Sequence, residues 1–580
     1  MAIITLKQWE AARRLELSLM DPRIASTPLS YQKTVQLDEL EAHPDEGFEF
    51  LQRTGAHLFY IPRSHGGRLS NFEELLNVVR IGARRDLTAT ISHGKTLLGA
   101  ISVWMAGSED QKQKLSRLIA SGGKIALALT ERSHGSDFRA TETKAEPCPE
   151  GYLLSGEKWL VNNATRSDAM TVLAREANAD GQDRLSLFLV LKDELDEGSF
   201  CHLPKIKTHG VRGMDVSGIR FDSCTIPRSA RVGSRGQGLS ILLKGMQVTR
   251  IMAIGLSLGS VDTALRVTLS FARERKLYGS PILEISTVRH LLVECFVDLL
   301  ACECLAATAA RGLHVIPRQM SILSSVAKYW IPKKAEEIVG RLATVLGARH
   351  YLREEPESGI FQKILRDLPL IGLFDGNAAV NLNWLSSQLF AQLATSTSRD
   401  QPARWNSLFS LDAPLPALDL TRLRCASPDG GPLGAWIEAC RDCPSAGNDS
   451  QGRVWHHLEQ DFQKTKNDLE RLLGTGRAQA RRSTHAFDAA IATSRHYAIA
   501  SAILTWKHNR NLLGRFFREG DWLMLLALRH LNRQTQPHCC ELVGRIVPRL
   551  NQLLDENRLF SIYPISLAGQ ADARYSVDQA

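Results

Sequence analysis

ALTERSHGSD from Ala128 to Asp137, EKWLVNN from Glu157 to Asn163, and KILRDLPLIGLFDGN from Lys363 to Asn377 decide how this chain is read. The first two lie in a region, Lys124 to about Val232, of short β-branched or aromatic runs broken by Gly, Asn and Asp: KIALALT, GYLLSG, KWLVNN, AMTVLA, LSLFLVL and GIRFDSCTI. That texture predicts short strands joined by tight turns, a small β-domain. The third segment closes a different region. After GSRGQG (Gly233 to Gly238), helical-period runs extend through LSILLKGMQVTRIMAIGLSLGSVDTALRVTLSFARERK, from Val288 to Leu313, and from Met320 to about Gly347. Their lengths suit a four-helix bundle whose last helix begins near Asp375.

Working outward, residues up to about Ala120 read as mostly helical, with periodic runs NFEELLNVVRIGARR from Asn71 and EDQKQKLSRLIASG from Glu109. FYIPRSHGG, from Phe59, is a Pro and Gly turn. Beyond the bundle, the stretch 396–452 is rich in Pro, Ser, Gly and Asp and reads as a linker or wrapping loop. Three more helices are expected at Val454–Leu473, His485–Trp506 and Trp522–Asn532. The division is therefore 1–123 N-terminal helical domain, 124–235 central β-domain, 236–395 helical bundle, 396–452 linker and 453–580 C-terminal helical extension.

In order and spacing the three quoted segments resemble the acyl-CoA dehydrogenase superfamily, FAD enzymes that remove two hydrogens from neighbouring carbons of an acyl thioester. The resemblance covers about residues 40 to 395. It implies a mostly α fold: an N-terminal helical domain, a central β-barrel-like domain and a four-helix bundle, with an extra C-terminal helical layer that it does not explain. It also implies that the isoalloxazine ring lies in a crevice between the β-domain and the bundle.

Forming a Cα=Cβ bond requires a base for the α-proton while a hydride leaves Cβ for flavin N5. The thioester carbonyl must be polarised by donors aimed at its developing oxyanion. The resemblance places Asp375 where the family keeps its proton-abstracting glutamate. It also implies that the N–H of that residue and a flavin ribityl hydroxyl are the donors. Aspartate is as competent a base as glutamate, about 3.9 against about 4.3 in free solution. Its side chain is shorter by about 1.5 Å, and a misplacement of about 1 Å costs on the order of 100-fold in rate. A second position used for the base by some members, in MQVTR, holds Thr249, which supplies no carboxylate. The other reading of Asp375 is a helix cap for the segment beginning at Gly376 to Ala378.

The same resemblance assigns cofactor contacts. Leu129 and Thr130 address the flavin pyrimidine edge, Ser136 falls on the serine of a GSD turn, and Trp159 packs near the ring, its alternative being an ordinary core residue. Val161 stands where a Thr or Ser hydroxyl usually approaches N5. Arg275, in RERKLYG, matches an arginine sent across a dimer interface to the FAD pyrophosphate, a bidentate task suited to guanidinium; its alternative is a pair with a nearby surface carboxylate. Thr344 and Gly347, in TVLGARHY, align with a loop that holds the partner subunit's FAD. Ser286 replaces a glutamine, Ala348 and His350 replace two glycines, and Asn377 replaces a threonine beside the adenosine. The implied assembly is a homodimer or homotetramer.

The bulk numbers fit this reading. At 580 residues, 44% apolar and 23% charged, the chain is long enough for several globular domains. No apolar run of about 18 residues and no leader signature at Met1 to Glu10 are read, so a cytoplasmic protein without an integral membrane segment is expected. Of 11 cysteines only Cys440 and Cys443 form a CxxC, and without a second pair or a nearby His cluster no metal site is expected. Net charge is +9, concentrated between Arg471 and Arg533, where 11 basic residues face 3 acidic ones. Arg481, Arg482, Arg510, Arg515 and Arg518 belong to a basic region suited to an anionic partner, an acyl carrier protein being one; its alternative is a solvated helix face with no partner. The substrate is then acyl-CoA or an acyl carrier protein thioester, and the electron acceptor an electron-transfer flavoprotein or O2. The alternatives are a flavin oxidase or monooxygenase on the same scaffold, and a nucleic-acid-binding member with weakened catalysis, although no aromatic-basic nucleic-acid platform is found.

Overall fold

The computed structural model describes residues 7–177, 182–393, 401–427, 450–474, 483–532 and 537–569. Its chain forms two compact units, Lys33–Ser70 with Asp86–Thr249, and Met1–Gln32 with Asn71–Arg85 and Arg250–Ala580.

The first unit carries the sheet. Eight strands follow one another as β1 Ile125–Ala128, β2 Lys144–Pro147, β3 Gly151–Asn162, β4 Ala169–Glu176, β5 Arg184–Leu191, β6 Phe200–Leu203, β7 Val216–Pro227 and β8 Arg231–Val232. They order as β6-β7-β3-β2-β4-β5-β8, with β1 added in parallel to β4. The runs AMTVLARE and RLSLFLVL pair antiparallel from Ala169↔Leu191 to Glu176↔Arg184, which sets Met170, Val172, Ala174, Phe188 and Val190 in the core. Two register shifts interrupt the pairing of β3 with β7, at Leu154/Gly156 and Trp159/Val161, and Leu160 between the latter two has φ +59°. A bulge of this kind re-aims the side chains beside it. The helix Leu87–Ala106 lies against β1 at Gly99, where an added Cβ would stand 2.6 Å from the Ile125 side chain.

The second unit is helical. The Arg250 onward part of Gly238–Glu274, then Ser286–Val315, Met320–Leu346 and Ala378–Leu393, are the four helices expected for the bundle from the sequence. Gly238–Glu274 is long and apolar enough to cross a membrane, but 78% of its most apolar window is buried inside the protein. The helix Phe72–Ala83 joins this unit through buried ion pairs: Arg80 with Glu303, Arg84 with Asp262 (2.8 Å) and Glu16 (3.0 Å). Arg311 pairs with Glu73 at 2.8 Å.

The C-terminal region is part of the same unit. Backbone amides of Phe560 and Ile562 donate to Asp262 (2.9 Å) and Glu303 (2.8 Å), and the Tyr563 hydroxyl donates to Glu73 (3.0 Å). The carboxylates that neutralise the buried arginines therefore also hold the chain's last described segment, which satisfies lone pairs that burial would otherwise strand. Three expected helices are present as Ser450–Gly474, Thr484–Asn509 and Asp521–His530, and a fourth, Pro537–Asp555, was not read from the sequence.

Candidate active site

In the first unit, ALTE and EKW are brought together by two bonds between Thr130 and Trp159. The Trp159 N–H donates to the Thr130 carbonyl (2.9 Å) and the Thr130 hydroxyl donates to the Trp159 carbonyl (2.5 Å). The residues alternating with them lie underneath. The Lys158 ammonium, fully buried, donates to Glu131 (2.7 Å), to Thr141 (2.8 Å) and to the Leu129 carbonyl (3.1 Å). Burial pushes Lys158 down to about 8 against the pull of Glu131. Burial works against the Glu131 charge as well, yet Lys158, Thr141 and the Glu142 amide together hold it at about 2. The pair is a brace: it fixes the backbone from which Thr130 and Trp159 are presented.

What this frame presents is a polar edge and a ring. The Thr130 N–H makes no hydrogen bond among the described residues. Trp159 is half-buried, with the Arg132 guanidinium 4.8 Å from its ring centroid, whereas Val161 is buried at 2% exposure. Ser136 lies exposed in the turn that follows ALTER, apart from the Thr130–Trp159 pair.

In the second unit, the turn before the helix Ala378–Leu393 holds Asp375. Phe374, Asp375 and Gly376 form a bend with φ +56° at Asp375 and +90° at Gly376, left-handed values that Asp and Gly tolerate best. Two buried cations fasten it. Arg250 Nε donates to the Asp375 carbonyl at 2.9 Å while its Nη1 reaches Ser325 Oγ at 3.0 Å. Lys328 donates to the carbonyls of Ile371 (2.6 Å) and Phe374 (2.7 Å). Burial lowers Arg250 to about 10, opposed by the nearby Asp375 charge, so it remains cationic at neutral pH.

Asp375 itself is 9% exposed, its Oδ2 has no hydrogen-bond partner, and its N–H donates to nothing among the described residues. The capping alternative fails on geometry. Asn377, not Asp375, caps the helix, accepting the Val380 N–H on Oδ1 at 2.9 Å. Thr249, one residue before Arg250, is buried with its hydroxyl turned to the Met246 carbonyl at 3.4 Å.

The remaining residues of the second unit lie at its surface. Arg275 is exposed immediately before a two-stranded hairpin, Lys276–Leu277 with Ser280–Pro281, and its guanidinium has no partner among the described residues; the surface-carboxylate alternative is thus not what the structure has. Beside it Tyr278 is 99% and Leu277 42% exposed. Gly347, at φ +57°, ends the helix Met320–Leu346, and Thr344 in its last turn is exposed, its hydroxyl on the Arg341 carbonyl (2.6 Å). Ser286 begins the helix Ser286–Val315 and His350 bonds the Gly347 carbonyl at 2.6 Å. Of the basic tail, Arg515 pairs with Glu519 (2.6 Å) and Arg518 with the Arg510 carbonyl (3.2 Å); Arg481, Arg482, Cys440 and Cys443 lie outside the described residues.

Sequence reasoning missed Arg250, Lys328 and the Glu131–Lys158 brace. A signal existed for the first two: each is a lone cation inside an otherwise uncharged helical run, MQVTRIMAIG and SILSSVAKYW. A charge so placed is seldom buried unless it has work to do.

Residues 126–224 match the model of the acyl-CoA dehydrogenase middle domain and residues 236–390 that of the acyl-CoA dehydrogenase C-terminal domain. Benzylmalonyl-CoA dehydrogenase of Aromatoleum aromaticum is 30% identical over 339 residues, 57% of this chain and 86% of that protein. The probable acyl-CoA dehydrogenase FadE25 of Mycobacterium tuberculosis is 26% identical over 346 residues, 59% of this chain and 86% of that one. A Bacillus anthracis acyl-CoA dehydrogenase complexed with FAD superposes with TM-score 0.74 at 16% identity, covering 95% of each chain, so its fold extends over the C-terminal region too. The chain belongs to the acyl-CoA dehydrogenase family, whose members are FAD-dependent oxidoreductases acting on the CH–CH group of their donors.

Proposed function

We propose that the chain α,β-dehydrogenates an acyl thioester, with Asp375 as the base that takes the α-proton. The observation that carries this is the state of Asp375: a buried carboxylate oxygen without a partner and an unbonded N–H on the same residue. An unpaired buried acceptor costs about 1–3 kcal/mol, a cost retained most readily where a ligand's proton meets it. The N–H beside it suits the thioester carbonyl, which it would polarise as negative charge develops on oxygen. Arg250 and Lys328 hold the turn through its carbonyls, so base and donor keep one geometry.

The FAD that family membership supplies is the hydride acceptor when bound. Residues of this chain fit it. The unbonded Thr130 N–H and the Leu129 segment would meet the pyrimidine edge, Trp159 would offer an aromatic face, and Ser136 a hydroxyl. Asn377 would border the adenosine, although its side chain is engaged as the helix cap. Arg275 has a free fork for pyrophosphate, and Thr344 and Gly347 sit at a helix end as a loop site would require. Val161 offers its peptide rather than a hydroxyl. Because Arg275, Thr344 and the apolar Tyr278 are exposed on one chain, a homodimer in which each subunit completes the other's cofactor site is the proposed assembly.

The test is anaerobic titration of the FAD-loaded protein with a panel of acyl-CoA and acyl carrier protein thioesters, following loss of flavin absorbance. Bleaching by a member of the panel is expected. No bleaching by any thioester, with FAD bound stoichiometrically, overturns the proposal. Rapid reoxidation of the bleached protein by air would favour O2 as acceptor; slow reoxidation would favour an electron-transfer flavoprotein.

A further inference from the structure

Three helices of the C-terminal region, Ser450–Gly474, Thr484–Asn509 and Asp521–His530, converge on Asp461, His496 and His530. Both imidazoles direct Nε2 at a single oxygen, Asp461 Oδ2, at 2.9 Å from His496 and 3.1 Å from His530, and the three candidate ligand atoms lie within 4.8 Å of one another. His496 is 2% exposed, with Phe462 edge-on at 4.3 Å between ring centroids. His530 lines a cavity of about 380 Å³ whose other polar walls include Lys333, Lys334, Arg495 and Arg529. None of these groups takes part in the proposed dehydrogenation. The three are 35 and 34 residues apart on separate helices, so no ligand spacing marks them in the sequence.

We propose that Asp461, His496 and His530 form a binding site for a divalent transition-metal ion of the zinc type. Two imidazole nitrogens and one carboxylate are the donors such ions take. Magnesium and calcium require oxygen-rich shells, and soft monovalent copper takes thiolate or thioether. Bonds of about 2.0–2.1 Å in tetrahedral geometry set neighbouring donors about 3.3 Å apart. Against that value the two carboxylate-to-imidazole distances, 2.9 and 3.1 Å, would open by a few tenths of an ångström, and the two imidazole nitrogens, within 4.8 Å of each other, would close by at most about 1.5 Å. The cavity beside His530 leaves room for a water as fourth ligand. Arg495 donates to the His530 carbonyl at 2.9 Å. The ion would tie three helices that already meet at one hydrogen-bond acceptor, Asp461 Oδ2, and at the Phe462 ring.

The alternative is a plain His–Asp–His hydrogen-bonded cluster, and zinc itself separates the two. Tag-free FAD-loaded protein, stripped with a chelator and desalted, is titrated with Zn²⁺ by calorimetry, and its metal content as purified is measured by mass spectrometry. Stoichiometric uptake is expected, falling in Asp461→Asn and in His530→Gln by at least the roughly 10–100-fold that loss of even an outer partner of a metal ligand costs. Asp461→Asn keeps the shape and an acceptor oxygen, and unchanged FAD content in each variant certifies the fold. Co²⁺ in place of Zn²⁺ should give the visible bands of a tetrahedral N,O site in wild type alone. Absence of stoichiometric binding to wild type, or binding undiminished in both variants, overturns the site and leaves a hydrogen-bonded cluster.

Discussion

Replacing Arg250 by Met tests how the Asp375 turn is held. The guanidinium makes one charge-assisted bond to the Asp375 carbonyl, at 2.9 Å, and one to Ser325, at 3.0 Å, from a site 5% exposed. Such bonds are worth about 1.5–3 kcal/mol each when one partner is charged. Met fills similar volume and removes the desolvation cost of a buried cation, which offsets part of the loss in global stability. The effect should therefore appear in the chemistry more than in the fold. If the full 1.5–3 kcal/mol falls on the placement of the base, the rate of flavin reduction drops about 10- to 150-fold. Stopped-flow anaerobic mixing with saturating thioester reads that rate directly, and the substrate concentration dependence reads binding. The expected split is a slower limiting rate with substrate affinity and FAD content near wild type. Arg250→Lys, which keeps the charge without the fork, should recover only part of the rate. A limiting rate within about a factor of two of wild type in Arg250→Met would refute the claim that Arg250 positions the base.

Three further outcomes follow from the same geometry. Asn377→Ala removes the cap bond to the Val380 N–H and should cost about 1 kcal/mol, read as a lower thermal midpoint, with flavin reduction retained. Glu131→Gln breaks the buried pair with Lys158 and should cost about 3 kcal/mol, the low end of the usual range because Leu129 and Thr141 still accept from the ammonium. The Glu131 carboxyl is held at about 2 in the folded protein against 4.5 unperturbed, so its contribution is whole above about pH 4.5 and lost as pH falls toward 2; the wild-type acid-denaturation curve should steepen there relative to the Gln variant. Arg275→Ala should lower FAD content without unfolding the chain, measured as the ratio of flavin to protein absorbance; unchanged FAD content would detach this residue from the cofactor.

The helices and strands were legible because their patterns are periodic. AMTVLARE and LSLFLVL announce β4 and β5, and the runs after Gly238 announce the bundle within a few residues of the observed ends. Pro537–Asp555 escaped because Pro548 interrupts its pattern, although the helix accommodates it. Asp375 was legible as a carboxylate in a Gly-containing turn; that Asn377 does the capping was not, since either residue type caps well. What the sequence hid is mostly long-range. Arg250 meets Asp375 across 125 residues, and Glu73 meets Tyr563 across 490. Such partners are fixed by how helices stack, and no local pattern records them.

The central claim is that the Asp375 carboxylate takes the α-proton, and the most direct measurement is the anaerobic flavin-reduction rate of Asp375→Asn with a thioester that bleaches the wild type. The amide nearly preserves shape, keeps the backbone carbonyl bonded to Arg250 and keeps the free N–H, but it cannot accept the proton. The account predicts full FAD content, near-normal thioester binding and a reduction rate lowered by at least the roughly 10²–10⁴-fold that a general base contributes. Reduction by Asp375→Asn at the wild-type rate would contradict it.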